Sequence, residues 1–429
     1  MSDARMNRRL ASLLSVRLAE ARLEQVPDGR DPRGVQWSLG TLLHATVAAI
    51  AAGAKSLADV EKYTASLSRA MRRKLGVPRR VPDTTLRDNL CAVEPEMLGP
   101  CLHAVVRAAH RRKALAPEGL QFGTLSLDGK GTALPTADDH YAQRQTSAED
   151  GPLVGVVRTV TATLTSSPAR LCIDVTPIPA RTNEMGAFEA AFEHVVKAYA
   201  GLDLFQVITY DAGACSLDNA SRVRARDLHY VLGLTVAQPT LFAAARAWLG
   251  ARSADQADAV SEDLVSGKTV IRRLYLGAAK EVDSPEGWEA HLRTVLRVET
   301  ESIDAHGKCK IENRYLISSL TAGRLSFDQW LLLLRRHWGV ETTHQILDVV
   351  FEEDDHPWIE QNPRGMLVVA VLRRLAYTLL SLFRSVTQRS DVLRHVPWKD
   401  LLWAVHLTLL TATDEQLEGL RDRALPAPS

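Results

Sequence analysis

Three acidic residues in this chain stand where polar groups of an open sheet tend to gather. Asp128 closes the run Thr124-Leu-Ser-Leu and precedes Gly129-Lys130; Asp211 closes Phe205-Gln-Val-Ile-Thr-Tyr210; Glu341 lies in a long apolar helix pattern. In open α/β sheets, polar groups converge outside the carboxyl ends of the strands. Taken singly, an Asp before Gly is an ordinary turn residue. Three carboxylates from two strand ends and the helix closing the same core could instead hold a hard divalent ion, Mg²⁺ or Mn²⁺, which prefers carboxylate oxygen and water. Two such ions about 3.5–4 Å apart can clamp the attacking and leaving oxygens of a phosphoryl displacement. At about 100° per residue, His337, Glu341, His344 and Asp348 fall on a stripe about 60° wide. Such a stripe is either a solvated face or an ionisable face turned into a site. It also allows a rival, in which His337, His344 and one carboxylate bind a single zinc or iron, although the spacing is not H-E-x-x-H.

The elements that must carry these residues begin at Phe122. Thr124–Asp128, Leu153–Leu164 and Arg170–Ile178 read as strands, with a polar loop over Pro135–Gly151. A helix over 183–199, a strand at Phe205–Tyr210, a helix over 217–227, a strand at His229–Leu234 and a helix over 239–249 follow. The order βββαβαβα predicts an α/β fold with a mixed sheet covered by helices, a ribonuclease-H-like catalytic core. Strand patterns at Thr269–Leu276, Leu292–Glu299 and Arg314–Ser319 predict a β-rich insertion, and a helix over 326–351 resumes the core. Two apolar helices, over 363–382 and 391–410, end the chain. The expected organisation is an all-α N-terminal DNA-binding domain (1–118), the first part of the core (119–250), the insertion (251–325), the catalytic helix (326–362) and C-terminal helices (363–429).

The 429 residues are 46% hydrophobic and 24% charged, which excludes a disordered or collagen-like chain. The net charge of +1 hides an asymmetry: residues 1–120 hold 20 Lys and Arg against 12 Asp and Glu, and the remainder 32 against 39. Ser56-x-x-Asp59 predicts a helix start, Gly76-Val77-Pro78 a stop, and Pro82-Asp83-Thr84 a new start. Arg72, Arg73, Arg79, Arg80 and Arg87 lie on or beside this helix, turn and helix, which is either a DNA-reading element or a bundle with a polar face. Five scattered cysteines without a C-x-x-C pair argue against disulfides and thiolate zinc, and for a cytoplasmic protein. No membrane association is expected: Leu42–Ala54 is too short to span, and Met366–Phe383 carries Arg373 and Arg374.

Leu331–Asp354, LLLLRRHWGVETTHQILDVVFEED, resembles the last catalytic-helix motif of the DDE transposases of bacterial insertion sequences, in the branch that includes the H-repeat-associated proteins. The typical form there is R-x-HW-x-IEN-x-LHW-x-LDV-x-F-x-ED. The resemblance implies that Glu341 is the third catalytic acid, that Asp128-Gly129-Lys130 matches the family's D-G-K and that Asp211-Ala212 matches its D-A. It extends to Asp31-Pro32-Arg33-Gly34, to Pro82–Arg87 and to Arg314–Leu320, and covers about residues 25–385. The wider superfamily carries Y-x2-R-x3-E-x6-K on this helix, and here those positions hold Leu334, His337 and Asp348 around Glu341. The branch's K-S-N-E is Arg181-Thr182-Asn183-Glu184, and its L-K-x-N-Q is Leu234-Thr235-Val236-Ala237-Gln238.

The expected function is that of an insertion-sequence transposase: Mg²⁺- or Mn²⁺-dependent cleavage and strand transfer on double-stranded DNA, element ends and target alike. Asp128, Asp211 and Glu341 are the expected catalytic and metal-holding acids, with Lys130, Arg336, His337, Trp338 and His344 as neighbours that meet DNA. Arg72, Arg73, Arg79, Arg80 and Arg87 would bind the terminal repeats, and pairing of two ends implies a homodimer. Two alternatives stand beside it: a divergent or domesticated DNA-binding protein without strand transfer, and a mononuclear metallohydrolase.

Overall fold

The computed structural model describes residues 3–31, 33, 35–146, 151–265, 267–282, 284–388 and 394–423. Its centre is a mixed sheet of ten strands: β1 (Thr124–Leu134), β2 (Ala142–Thr146), β3 (Leu153–Leu164), β4 (Leu171–Ile178), β5 (Val207–Tyr210), β6 (His229–Leu234), β7 (Ala259–Val265), β8 (Lys268–Ala278), β9 (Thr294–Ile303) and β10 (Cys309–Ser318). The strand order is β2-β3-β1-β5-β6-β10-β9-β8-β7, with β4 also paired to β3. β1, β3 and β4 pair antiparallel, whereas β1, β5 and β6 pair parallel. The expected mixed α/β architecture is therefore present, with helices before and after the sheet.

The structure adds a strand that was not expected, β7, and differs in four further details of the sheet and the helices over it. β1 does not stop in an Asp-Gly-Lys turn but runs on to Leu134, because its far half pairs with β3 through Asp128↔Thr161 and beyond. The polar loop contains β2, which lines up on β3. The strands of the β-rich insertion join the core sheet, since β10 pairs antiparallel with β6 and β9, β8 and β7 extend it. The helix expected over 326–351 is broken in two, Phe327–His337 and Gly339–Val349, with Trp338 (φ −69°, ψ 0°) at the joint. Gly339 allows the second helix to start against β3: an added Cβ there would stand 3.1 Å from Thr165 Cγ2.

Along the strands, side chains alternate between two faces. Leu125, Leu127, Ile208, Tyr210, Tyr230 and Leu232 face the larger apolar core. That core includes Phe188 and Phe192 of the helix α7 (Glu184–Ala198) and the whole helical region. Val207 and Val231 face the other way, onto Trp330, Leu331, Leu333 and Leu334 of the helix α10 (Phe327–His337). α10 starts with a reciprocal cap in which Ser326 Oγ accepts from Gln329 N and Gln329 Oε1 accepts from Ser326 N. α11 (Gly339–Val349) continues across the same face.

The helical region gathers both ends of the chain. α2 (Leu39–Ala51), α5 (Asp83–Ala92) and α6 (Gly99–Arg111) pack, with β4, on α12 (Pro363–Leu382); α3 (Leu57–Ser66) packs on α2 and α5, and α4 (Arg69–Leu75) follows it in the chain. The segment expected as one helix over 57–75 divides at Leu67-Ser68, where Ser68 Oγ accepts from Met71 N and starts α4. Residues 363–387 form a helix long and apolar enough to cross a membrane, but it is wholly buried inside the protein. Its Arg374 pairs with Glu353 at 2.9 Å, both side chains buried. All five cysteines are free.

Candidate active site

The parallel register of β1 and β5 places two of the acids. Ser126 lies opposite Thr209, so two residues further along each strand Asp128 comes level with Asp211. With a period of two, both acids leave the sheet on the face of Ser126 and Thr209, the face that α10 and α11 cover. Ser126 Oγ and Thr209 Oγ1 are 2.7 Å apart, and Thr209 Oγ1 is 2.9 Å from His337 Nδ1 at the end of α10. That bond fixes the helix joint over the strand end. One turn further on, Glu341 lines a cavity of about 390 Å³ together with Asp211, His337, Trp338 and Arg314. Another turn brings His344 Nδ1 to 3.2 Å from Asp128 Oδ2. The fold thus brings Asp128, Asp211 and Glu341 to one edge of the sheet.

A fourth acid joins them. Glu184 begins α7 behind the cap Asn183, whose side chain accepts from Gly186 N. Its carboxyl group lies over the backbone of Gly129, where an added Cβ would fall 1.9 Å from Glu184 Cδ. Gly129 is therefore not a turn glycine but the gap through which Glu184 reaches the edge. Periodicity did not single out Glu184, because a Glu in the first turn of a helix reads as an ordinary partner of the helix dipole.

Charge is crowded here. Burial raises the pKa of Glu341, and the charge of Asp128 raises it further, against Arg314 and His344. Burial likewise raises Asp211, opposed by the bond from Gly213 N and reinforced by Asp128. Glu184 is raised by burial, then by Asp128 and Asp211. Neither the Glu184 nor the Glu341 carboxyl group has a hydrogen bond or ion pair among the described residues. Carboxylates that push one another's pKa up and keep oxygens free are short of positive charge, a condition that a bound divalent cation relieves. The donor set of carboxylate oxygens suits Mg²⁺ or Mn²⁺.

The neighbouring residues expected at DNA divide into two groups. Lys130 is buried, and its ammonium lies 2.5 Å from Asp348 and 3.0 Å from Asp354, so its charge is used inside the protein. Arg336 donates to the carbonyls of Thr165 and Ser166 and lies 3.4 Å from Glu118. His337 is desolvated, with its pKa pushed down to about 4, and so is neutral at physiological pH. His344 is buried against Asp128. Trp338, by contrast, is half-buried in the cavity wall with the Arg314 guanidinium 5.1 Å from its ring centre. Arg314 is the cation at this edge that periodicity missed.

In the helical region, Arg72 donates to Ala65 O, and Arg73 pairs with Asp414 and, at 3.6 Å, with Asp422. Arg80 is exposed and pairs with Glu61. Arg79 is exposed with its guanidinium 5.0 Å from the Trp37 ring centre, and Arg87 is exposed with no ion pair among the described residues. His337 and His344 turn to different partners, Thr209 and Asp128. Among the described residues, the group of ligand atoms found within 4.8 Å of one another, His103, Asp174 and His194, includes neither these histidines nor the trio Asp128, Asp211 and Glu341, whose carboxylates share the edge without being drawn that close together.

Residues 21–106 match the DDE_Tnp_1-associated family. The matched stretch runs through α2, α3, α4 and α5 into α6, so the front of the chain is similar to a transposase-associated domain. No curated protein matches the chain.

Proposed function

We propose that this protein is a DNA transposase that cleaves and joins phosphodiesters with a divalent ion held by Asp128, Asp211 and Glu341. The observation that carries the reading is the convergence of these acids on one edge of the sheet, where burial and the charge of Asp128 raise the pKa of Asp211 and Glu341 and Lys130 is turned elsewhere. The strand order, three antiparallel strands and then two parallel ones, supports a ribonuclease-H-like core. The similarity of the front to a transposase-associated domain supports DNA as the substrate.

When bound, Mg²⁺ or Mn²⁺ supplies Lewis acidity toward phosphate oxygens and lowers the pKa of water. The chain's own residues do the rest. Asp128 and Asp211, level on adjacent strands, hold one side of the site, and Glu341 closes it from α11. His344 orients the Asp128 carboxylate. Neutral His337 ties α10 to Thr209 and so sets the height of Glu341 over the strands. Arg314 and Trp338 offer a cation and an aromatic face on the cavity wall, suited to a phosphate and an unstacked base. Water attacks the phosphodiester at an element end; the freed 3′-hydroxyl then attacks target DNA, and no covalent enzyme intermediate is needed. Two element ends call for two copies of the chain in the working complex.

The second reading, a DNA-binding protein that has lost strand transfer, draws on the internal use of Lys130 and Arg336 and on Asp348 at the helix position where the wider superfamily has Lys. Incubation with DNA flanking the encoding gene, with Mg²⁺ or Mn²⁺ or with chelator, separates the two. The transposase reading expects cation-dependent nicking that Asp128→Asn abolishes without loss of binding. Binding with no nicking under any cation establishes the second.

A further inference from the structure

Away from the acidic edge, two histidines and an aspartate from three elements meet. Asp174 on β4 is 1% exposed. His103 Nε2 of α6 lies 2.7 Å from its Oδ1, His194 Nδ1 of α7 lies 2.9 Å from its Oδ2, and Thr176 Oγ1 donates to Oδ2 at 3.2 Å. The three ligand atoms all lie within 4.8 Å of one another. The buried carboxylate thus has an imidazole nitrogen on each oxygen.

Two imidazoles and one carboxylate are a donor set for zinc and its neighbours in the first transition row, not for Mg²⁺ or Ca²⁺. Such a site needs a way in and a free position. His194 provides the way in: its side chain is 44% exposed, and His103 and His194 line a cavity of about 860 Å³ shared with Glu96, Cys101, Arg107 and Lys197. We propose that His103, Asp174 and His194 bind one divalent transition ion of the zinc class, with water from this cavity in the remaining position. Ligand atoms of a tetrahedral zinc stand about 3.4 Å apart. The present 2.7 and 2.9 Å contacts therefore open by less than an ångström as the ion replaces the shared protons. Each ring then carries its proton on the nitrogen facing away from Asp174, and a ring that was cationic releases one proton to solvent.

The ion would pin α6, where the stretch similar to a transposase-associated domain ends, to β4 and α7. α7 is also the helix whose first residue, Glu184, reaches the acidic edge. The site does not depend on the DNA reading, because none of its ligands belongs to the acidic edge.

Chelator-treated full-length protein titrated with ZnCl₂ by calorimetry tests the proposal, with thermal unfolding followed in parallel. The expected result is one saturable site per chain and a higher unfolding temperature with zinc. His194→Ala removes a half-exposed side chain and leaves the fold standing; it should weaken this site at least about 100-fold, the upper end of what loss of a mere supporting bond costs. The double variant Asp128→Asn with Glu341→Gln should keep it. Absence of a stoichiometric site, or zinc binding indifferent to His194→Ala and lost in the acid variant, overturns the proposal.

Discussion

Asp211, Glu184 and Glu341 each carry a raised pKa for the same reason, burial next to the charge of Asp128. The folded chain therefore holds protons on these groups at pH values where the unfolded chain, with ordinary values of 3.8 and 4.5, has released them. Without metal, they make stability fall as pH rises through that range toward neutrality. Two outcomes follow for thermal unfolding in chelator at pH 7. Asp211→Asn and Glu341→Gln should each unfold at a higher temperature than the parent chain, since each removes one repelling charge. Mg²⁺ should raise the parent's midpoint and leave the variants nearly unmoved. Glu184→Gln is expected to raise the Mg²⁺ concentration needed for half-maximal nicking, because its carboxylate shares the same edge. The three acids were legible from strand ends and the family-like helix motif. Glu184 was not, because its approach depends on the missing side chain of Gly129, a contact between positions more than fifty residues apart.

At the scale of elements, the link between α10 and the sheet is the bond of Thr209 to His337, backed by Ser126. Thr209→Val keeps the volume and leaves the buried His337 nitrogen unpaired, which should cost about 1–2 kcal/mol in denaturant unfolding. Activity should fall further than stability, since Glu341 hangs from that joint. Lys130 ties β1 to Asp348 of α11 and to Asp354. Lys130→Met should lower stability by about 1–3 kcal/mol, its acidic partners being partly solvated, and leave the salt dependence of DNA binding unchanged. A phosphate contact would give the opposite pattern. The sequence carried the strands and most helices because alternation and helical spacing are local. It did not carry the break at Trp338, whose flanking residues keep a helical pattern while Gly339 answers to Thr165 across the sheet. Nor did it reveal β2 or β7, strands with little buried surface that only their partners make strands.

The whole molecule joins its two ends. α12 is covered by helices from the first quarter of the chain, so the basic front and the C-terminal helices form one body on the sheet, as linear segmentation by composition could not show. On this body Arg79, Arg80 and Arg87 stay exposed, whereas Arg72 and Arg73 are drawn into caps and ion pairs. Replacing Arg79, Arg80 and Arg87 by Ala together should weaken DNA binding and flatten the slope of its salt dependence by up to about 0.9 for each phosphate that is no longer neutralised. The same change at Arg72 or Arg73 should act mainly on stability. The central claim concerns the acidic edge, and manganese tests it most directly. In crystals grown with Mn²⁺, anomalous scattering should place an ion within coordinating distance of Asp128 and Asp211, with Glu341 closing the same site. Manganese found elsewhere, with those three carboxylates left to water, would contradict the account.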